Sequence, residues 1–260
     1  MPEASLGGAR VLVTRPAHQA ETLCRLIAAA GGEPVRLPAI EIAPPADPAA
    51  LASILDHLDR FDLAIFVSPN AVRATLTHLH GHLPATLALA AVGEGTQRAL
   101  AAAGYADVLT PAEHFDSEGL LALPALQQVR GRRVLILRGD GGRELLADTL
   151  RSRGAEVTYA ECYRRRLPAA PDPAALARLA GGEIDVAVIT SSDGLSNLLA
   201  LGGDSMRATV LATPLVVMSA RQAQAARTLG FHAAVEVAAR ADDAAIVAAV
   251  RAWQATRNSL

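Results

Sequence analysis

The sequence predicts an α/β protein made of parallel β-sheets flanked by helices, and three observations carry that expectation. Apolar runs of five to seven residues alternate with longer helical patterns along the whole chain. The runs are nearly uninterrupted, as in strands that are covered on both faces. The pattern also occurs twice, because the second half of the chain repeats the first.

The elements follow in order. "RVLVTRP" (Arg10–Pro16) is a strand, and the helix expected over Gln19–Ala30 is stopped by Gly31-Gly32. "DLAIFVS" precedes a helix that begins near Asn70. "LALAAVG" precedes one over Thr96–Ala103, ended by Gly104. "RVLILRG" precedes one over Arg143–Arg153, ended by Gly154. "IDVAVITS", "PLVVMS" and "AAVEVA" continue the alternation.

Setting Val11 against Val134 gives an offset of 123 residues. Arg15 then falls on Arg138, Glu21 on Glu144, Gly31 on Gly154 and Glu33 on Glu156. Asp62 falls on Asp185, Ser68 on Ser191 and Asn70 on Asp193, and after a three-residue shift Gly104 meets Gly230. Two similar units are expected. The repeat alone would cut the chain near residue 125. Against that cut, Glu33–Ala43 and Glu156–Leu167 read as long extended segments at equivalent places. Each could run from one unit into the other.

A length of 260 residues suits two domains, on a prior of roughly 150 residues each. The formal charge of −2 sets up no field that draws nucleic acid. All 24 basic residues are arginine. Without lysine there is no P-loop lysine, no Schiff-base lysine and no pyridoxal-phosphate attachment site. Cys24 and Cys162 are far apart and form no CxxC pair, which fits a reducing compartment. No signal peptide is read at the N-terminus, and no apolar run approaches the ~18–20 residues of a membrane span. A cytoplasmic protein without membrane or nucleic-acid partners is expected.

"VLVTRP", "DLAIFVSPNAV", "AVGEGT", "SEGLL", "RVLILRGDGGRELLADTLRSRGAEV" with a following "CYRR", and "VITSSDGL" together resemble uroporphyrinogen-III synthase. They stand in that family's order and cover nearly the whole chain. The resemblance implies two α/β domains joined by a two-stranded linker. Residues 1–38 with 167–260 would form one and 39–166 the other, with substrate bound in the cleft between them. It also implies a reaction. Hydroxymethylbilane, a linear tetrapyrrole, is cyclised to uroporphyrinogen III with loss of water and inversion of the last ring, and no cofactor or metal takes part. A monomer suffices, with transient contact to the upstream bilane-forming enzyme.

Such a substrate ionises readily, so the protein's main task is to hold a flexible octacarboxylate in the shape that closes. Helix N-termini offer unpaired N–H groups and partial positive charge to carboxylates. The candidates are Ser68, Pro69 and Asn70; Gly93 to Thr96; Gly139 to Gly142; Ser191, Ser192 and Asp193; and Ser219. Such residues also cap helices with no ligand present. Arg15 and Arg138 could add bidentate contacts or tie strands to helices. A phenol keeps its proton at neutral pH and can donate it. The family's tyrosine after the last strand of the middle domain corresponds to Tyr163 in "ECYRRR", the expected acid toward the leaving hydroxyl. Tyr159 is the competing assignment, and Thr96 in "GEGTQ" resembles another residue of the family's site. At "FVSPNAV" itself, capping and substrate N–H donation are expected, and catalytic chemistry is not.

Other motifs lead nowhere. "VGEGTQRAL" has Arg98 where a dinucleotide fingerprint needs its third glycine. "HLHGH" (His78, His80, His82) reads as a solvated helix end, "RGD" at Arg138–Asp140 as a strand end, and "RRR" at Arg164–Arg166 is too short for a nucleic-acid patch. The rival function is a non-enzymatic, two-domain protein that binds or senses small anions through the same helix termini.

Overall fold

The computed structural model describes residues 5–142 and 144–257. In chain order the elements begin β1 (Arg10–Val13), α1 (Glu21–Ala29), β2 (Glu33–Arg36), β3 (Glu41–Ala43), α2 (Pro48–Leu55), β4 (Leu63–Phe66), α3 (Pro69–His78), β5 (Ala88–Ala91) and α4 (Glu94–Ala102). They continue α5 (Ser117–Ala122), α6 (Pro124–Gln127), β6 (Arg133–Gly139), α7 (Leu145–Ser152), β7 (Glu156–Arg166), α8 (Pro173–Ala180) and β8 (Val186–Ile189). The last are α9 (Ser192–Leu211), β9 (Leu215–Val217), α10 (Ala220–Thr228), β10 (Val235–Val237) and α11 (Asp243–Arg257). Gly203, with φ 58°, breaks α9. The helix expected from Arg143 starts at Leu145, and Arg143 itself lies outside the described residues. No described helix is long and apolar enough to cross a membrane.

The chain divides into two compact units, Met1–Glu41 with Arg166–Leu260, and Ile42–Arg165. The first holds the sheet β10-β9-β8-β1-β2 and the second holds β3-β7-β6-β4-β5. The chain passes between units within β3 and at the end of β7, which are hydrogen-bonded neighbours. Of the two expected extended segments, the second is one strand. The first breaks between β2 and β3, at residues 37–40.

Each unit takes part of its sheet from each copy of the repeat. In the first, β1 pairs in parallel with β2 and with β8; in the second, β6 pairs in parallel with β7 and with β4. The backbone bonds recur at the same offset. The N–H of Glu33 donates to the Ala9 carbonyl at 2.8 Å, and that of Glu156 to Arg132 at 2.9 Å. The Arg10 N–H donates to Asp185 Oδ2 at 2.9 Å, and the Arg133 N–H to Asp62 Oδ2 at 2.7 Å. A tandem cut near residue 125 would separate Arg10 from Asp185 and Arg133 from Asp62, and β1 from β8 and β6 from β4.

The helices bury matching faces. Leu23, Cys24 and Ile27 of α1 and Leu146, Ala147 and Leu150 of α7 sit at the same spacing, one turn apart. Gly31 and Gly154 follow these helices at φ 80° and 87°, a left-handed step that side chains resist. The central strands β4 and β8 are apolar throughout because both faces are covered: Leu63 to Phe66 and Val186 to Ile189 are fully buried. Burial of each such Leu, Ile or Phe contributes about 1.5–3 kcal/mol.

Candidate functional site

In the second unit β4, β5, β6 and β7 run parallel, so their C-terminal ends share one sheet edge. β4 ends at the turn Val67-Ser68 and restarts as α3. Ser68 has extended backbone, its Oγ accepts from the Ala71 N–H at 3.2 Å, and Pro69 occupies the first helical turn, where no N–H is needed. Asn70, 9% exposed, accepts at Oδ1 from Arg73 at 3.4 Å. The capping expected at this turn is therefore present.

The Ser68 hydroxyl does a second thing. It lies 2.9 Å from the Tyr163 hydroxyl. Tyr163 stands near the end of β7, 3% exposed, within the core cluster that includes Ala71, Val72 and Cys162. A register irregularity sets Arg138 opposite Glu161 but Gly139 opposite Tyr163. This bulge puts Cys162 and Tyr163 into the same core, where regular alternation would turn one of them away. The ring packs so closely on Gly139 that a Cβ there would stand 2.8 Å from its Cζ. Asp140 locks the same corner. Its N–H donates to the Tyr163 carbonyl at 2.9 Å, and its Oδ1 accepts from the Arg165 N–H at 3.1 Å. The serine hydroxyl of this turn thus touches the tyrosine expected as the acid.

Tyr159 is committed elsewhere. It donates to Glu144 Oε2 at 2.5 Å, under the Arg138 guanidinium, 3.9 Å from its ring centre. Burial and the Glu144 bond push its phenol up to about 12. The bond from Tyr159, with help from Arg138, in turn holds the Glu144 carboxyl below the usual range. Arg138 also reaches Glu144 at 2.9 Å, and its side chain is 12% exposed. Cys162 is held as an inert thiol, pushed up to about 11 by burial, 3.6 Å from Thr75 Oγ1.

The last turn on this edge follows β5. Gly93 is the N-cap of α4 and has no side chain to cap it; Thr96, at its third helical position, is 3% exposed. Gly139 to Gly142 lead from β6 towards α7, and Gly141 and Gly142 have φ of 65° and 127°.

In the first unit β1, β8 and β9 are likewise parallel. Ser191 caps α9 by accepting from the Gly194 N–H at 3.1 Å, and Ser192 and Asp193 open that helix. Ser219 caps α10, and Gln222 reaches back to the Met218 N–H at 2.8 Å. Arg15 pairs with Asp243, which opens α11. Both repeat-equivalent arginines therefore already hold carboxylates of the chain. The ion pairs, the bulge and the Ser68–Tyr163 contact were not legible in the sequence. Gly139, Tyr163 and Ser68 could each be named there, but not their contacts.

Two sheets of parallel strands, each with helix N-termini along its C-terminal edge, define an α/β fold of the kind that holds small anionic ligands. The family described as uroporphyrinogen-III synthase HemD matches residues 21–248. The chain is 36% identical over 245 residues to uroporphyrinogen-III synthase of Escherichia coli, covering 93% of this chain and 99% of that one. It is 33% identical over 208 residues to that of Synechococcus elongatus, covering 77% of each. Among solved structures, a mutant uroporphyrinogen III synthase of Thermus thermophilus superimposes with TM-score 0.60 at 20% identity, covering 97% of this chain and 100% of that one. The Helicobacter pylori uroporphyrinogen-III synthetase does so with TM-score 0.57 at 13% identity, covering 92% and 97%. These two show the shared fold. The chain belongs to the uroporphyrinogen-III synthase family.

Proposed function

We propose that the chain is a uroporphyrinogen-III synthase, a cyclising hydro-lyase that closes hydroxymethylbilane to uroporphyrinogen III with loss of water and inversion of the last ring. The observation that carries this reading is the similarity to the Escherichia coli enzyme over nearly all of both chains. The family's discontinuous domain is assigned to residues 1–38 with 167–260 and its inserted domain to 39–166. The enzyme works as a cytoplasmic monomer that meets the bilane-forming enzyme only in passing.

Tyr163 is assigned as the general acid. The Ser68 hydroxyl accepts from the Ala71 N–H and is free to donate its own proton to the Tyr163 oxygen. The phenol proton can then point at the leaving hydroxyl of the substrate. As it transfers, the phenolate that forms is stabilised by the serine hydroxyl and the positive end of α3. A positioned acid of this kind contributes ~10²–10⁴-fold. Backbone N–H groups at Ser68, Asn70, Gly93 to Thr96, Gly139, Ser191, Ser192 and Ser219 are assigned to substrate carboxylates, with Pro69, which has no N–H, lining the same turn. Arg15 and Arg138 would join them by exchanging internal carboxylates for those of the substrate.

The test is to supply hydroxymethylbilane to the purified protein and resolve the isomers. Uroporphyrinogen III should replace the spontaneous I isomer. A I-to-III ratio unchanged by protein would leave the rival, a non-enzymatic anion-binding protein, as the reading.

A further inference from the structure

Two buried donors on the second unit stand out. The Nε–H groups of Arg138 and Arg164 are both buried without a hydrogen-bond partner. A buried polar group normally finds a partner, and a charged donor without one is costly. For Arg138 the rest of the guanidinium is occupied by Glu144 and the Tyr159 ring. Arg164 is different. Among the described residues its guanidinium has neither a hydrogen bond nor an ion pair. Its neighbours do have partners: Arg166 donates to Glu41 Oε1 at 2.7 Å, and the Arg165 N–H donates to Asp140.

The bulge in β7 decides where Arg164 lies. Before it, Val157 and Tyr159 pack with Val134 and Ile136 on one face of the sheet, and Ala160 packs with Leu135 and Leu137 on the other. After it, Tyr163 occupies the second face, so alternation returns Arg164 to the first. That is the face on which Arg138 covers Tyr159. Two adjacent β7 residues therefore flank the end of this sheet, the buried Tyr163 phenol on one face and the Arg164 guanidinium on the other.

We infer that Arg164 is a substrate-binding residue that takes one carboxylate of the linear tetrapyrrole, side-on, through its Nε–H and one terminal N–H. This rests on the synthase reading above. The planar fork supplies two parallel charge-assisted bonds, which a lysine cannot copy. Arg164 acts in binding and Tyr163 in proton transfer, so their variants separate kinetically.

The experiment measures uroporphyrinogen III formation and thermal unfolding for wild type, Arg164→Ala and Arg164→Lys. Wild-type turnover comes first; its failure would remove the synthase reading and, with it, the role inferred for Arg164. Given turnover, Arg164→Ala should raise KM ~10–100-fold, as expected for losing charge-assisted bonds, with kcat little changed. Arg164→Lys should recover part of that loss. Tm should not fall, because the substitution removes an unpartnered buried donor. A KM within about twofold of wild type would overturn the inference. So would a lowered Tm with kcat and KM falling together, the signature of a purely structural arginine.

Discussion

The two units share one frame and differ at its edge. Asp62 and Asp185 make the same bond to a strand N–H, 123 residues apart, and Ser68 and Ser191 cap helices in the same way. At the strand ends the chemistry parts. The position 123 residues before Tyr163 is Ile40, and that before Gly139 is Pro16. The second unit thus has a buried phenol on a glycine and a serine, where the first has an isoleucine and a proline. The scaffold is repeated, and the residues on which the proposed acid role rests stand at one edge only.

The largest expected effect comes from removing the oxygen that only one unit has. Tyr163→Phe should lower kcat for uroporphyrinogen III ~10²–10⁴-fold while leaving Tm near wild type. Ile40→Val, its counterpart, should leave kcat unchanged and cost about 0.5–1.5 kcal/mol of stability. A slow Ile40→Val variant would break the asymmetry.

Gly139→Ala should come next. Its new methyl would stand 2.8 Å from the Tyr163 ring, which must move. Steady-state assays should show kcat down by up to ~10²-fold, since a misplacement of about 1 Å carries such a cost. Denaturant melts should show a loss of ~1–3 kcal/mol from overpacking.

The smallest effect separates the frames by burial. Asp185 is 12% exposed and Asp62 39%. Burial alone would raise the Asp185 carboxyl, but bonds from Arg10 and Arg257 outweigh it and hold it at about 2. For Asp62 the Arg133 N–H lowers it against burial. A depressed folded pKa adds stability that is complete above the unfolded value near 4 and is lost as pH falls through the folded one. Asp185→Asn should therefore cost about 2 kcal/mol at pH 7, a deficit that shrinks between about pH 4 and 2 in acid melts. Asp62→Asn should cost less than about 1 kcal/mol, as solvent screening requires. Equal losses would mean that burial does not distinguish the two.

Much of this frame was legible in advance. The two-fold pattern, the alternation of strands and helices within each copy and the glycines ending α1 and α7 follow from apolar period and backbone chirality, which are local. The exchange of segments was suggested by Glu33–Ala43 and Glu156–Leu167. The break between β2 and β3 was not anticipated. At the site, Ser68 was readable as a cap because capping needs only the next three residues. Its contact with Tyr163, 95 residues on, depends on a bulge and on β6 lying between the two strands. The fates of Arg15 and Arg138 depend likewise on where Asp243 and Glu144 fall in space. No spacing in the chain encodes that.

The account holds that Tyr163 and Ser68 act as one acid-donating pair, and a double-mutant cycle on kcat tests this most directly. Ser68→Ala should slow uroporphyrinogen III formation about tenfold in wild type, a coupling of the size found between contacting residues. In the Tyr163→Phe background it should slow nothing further. If Ser68→Ala slows both backgrounds by the same factor, the serine only caps its helix and the pair does not exist.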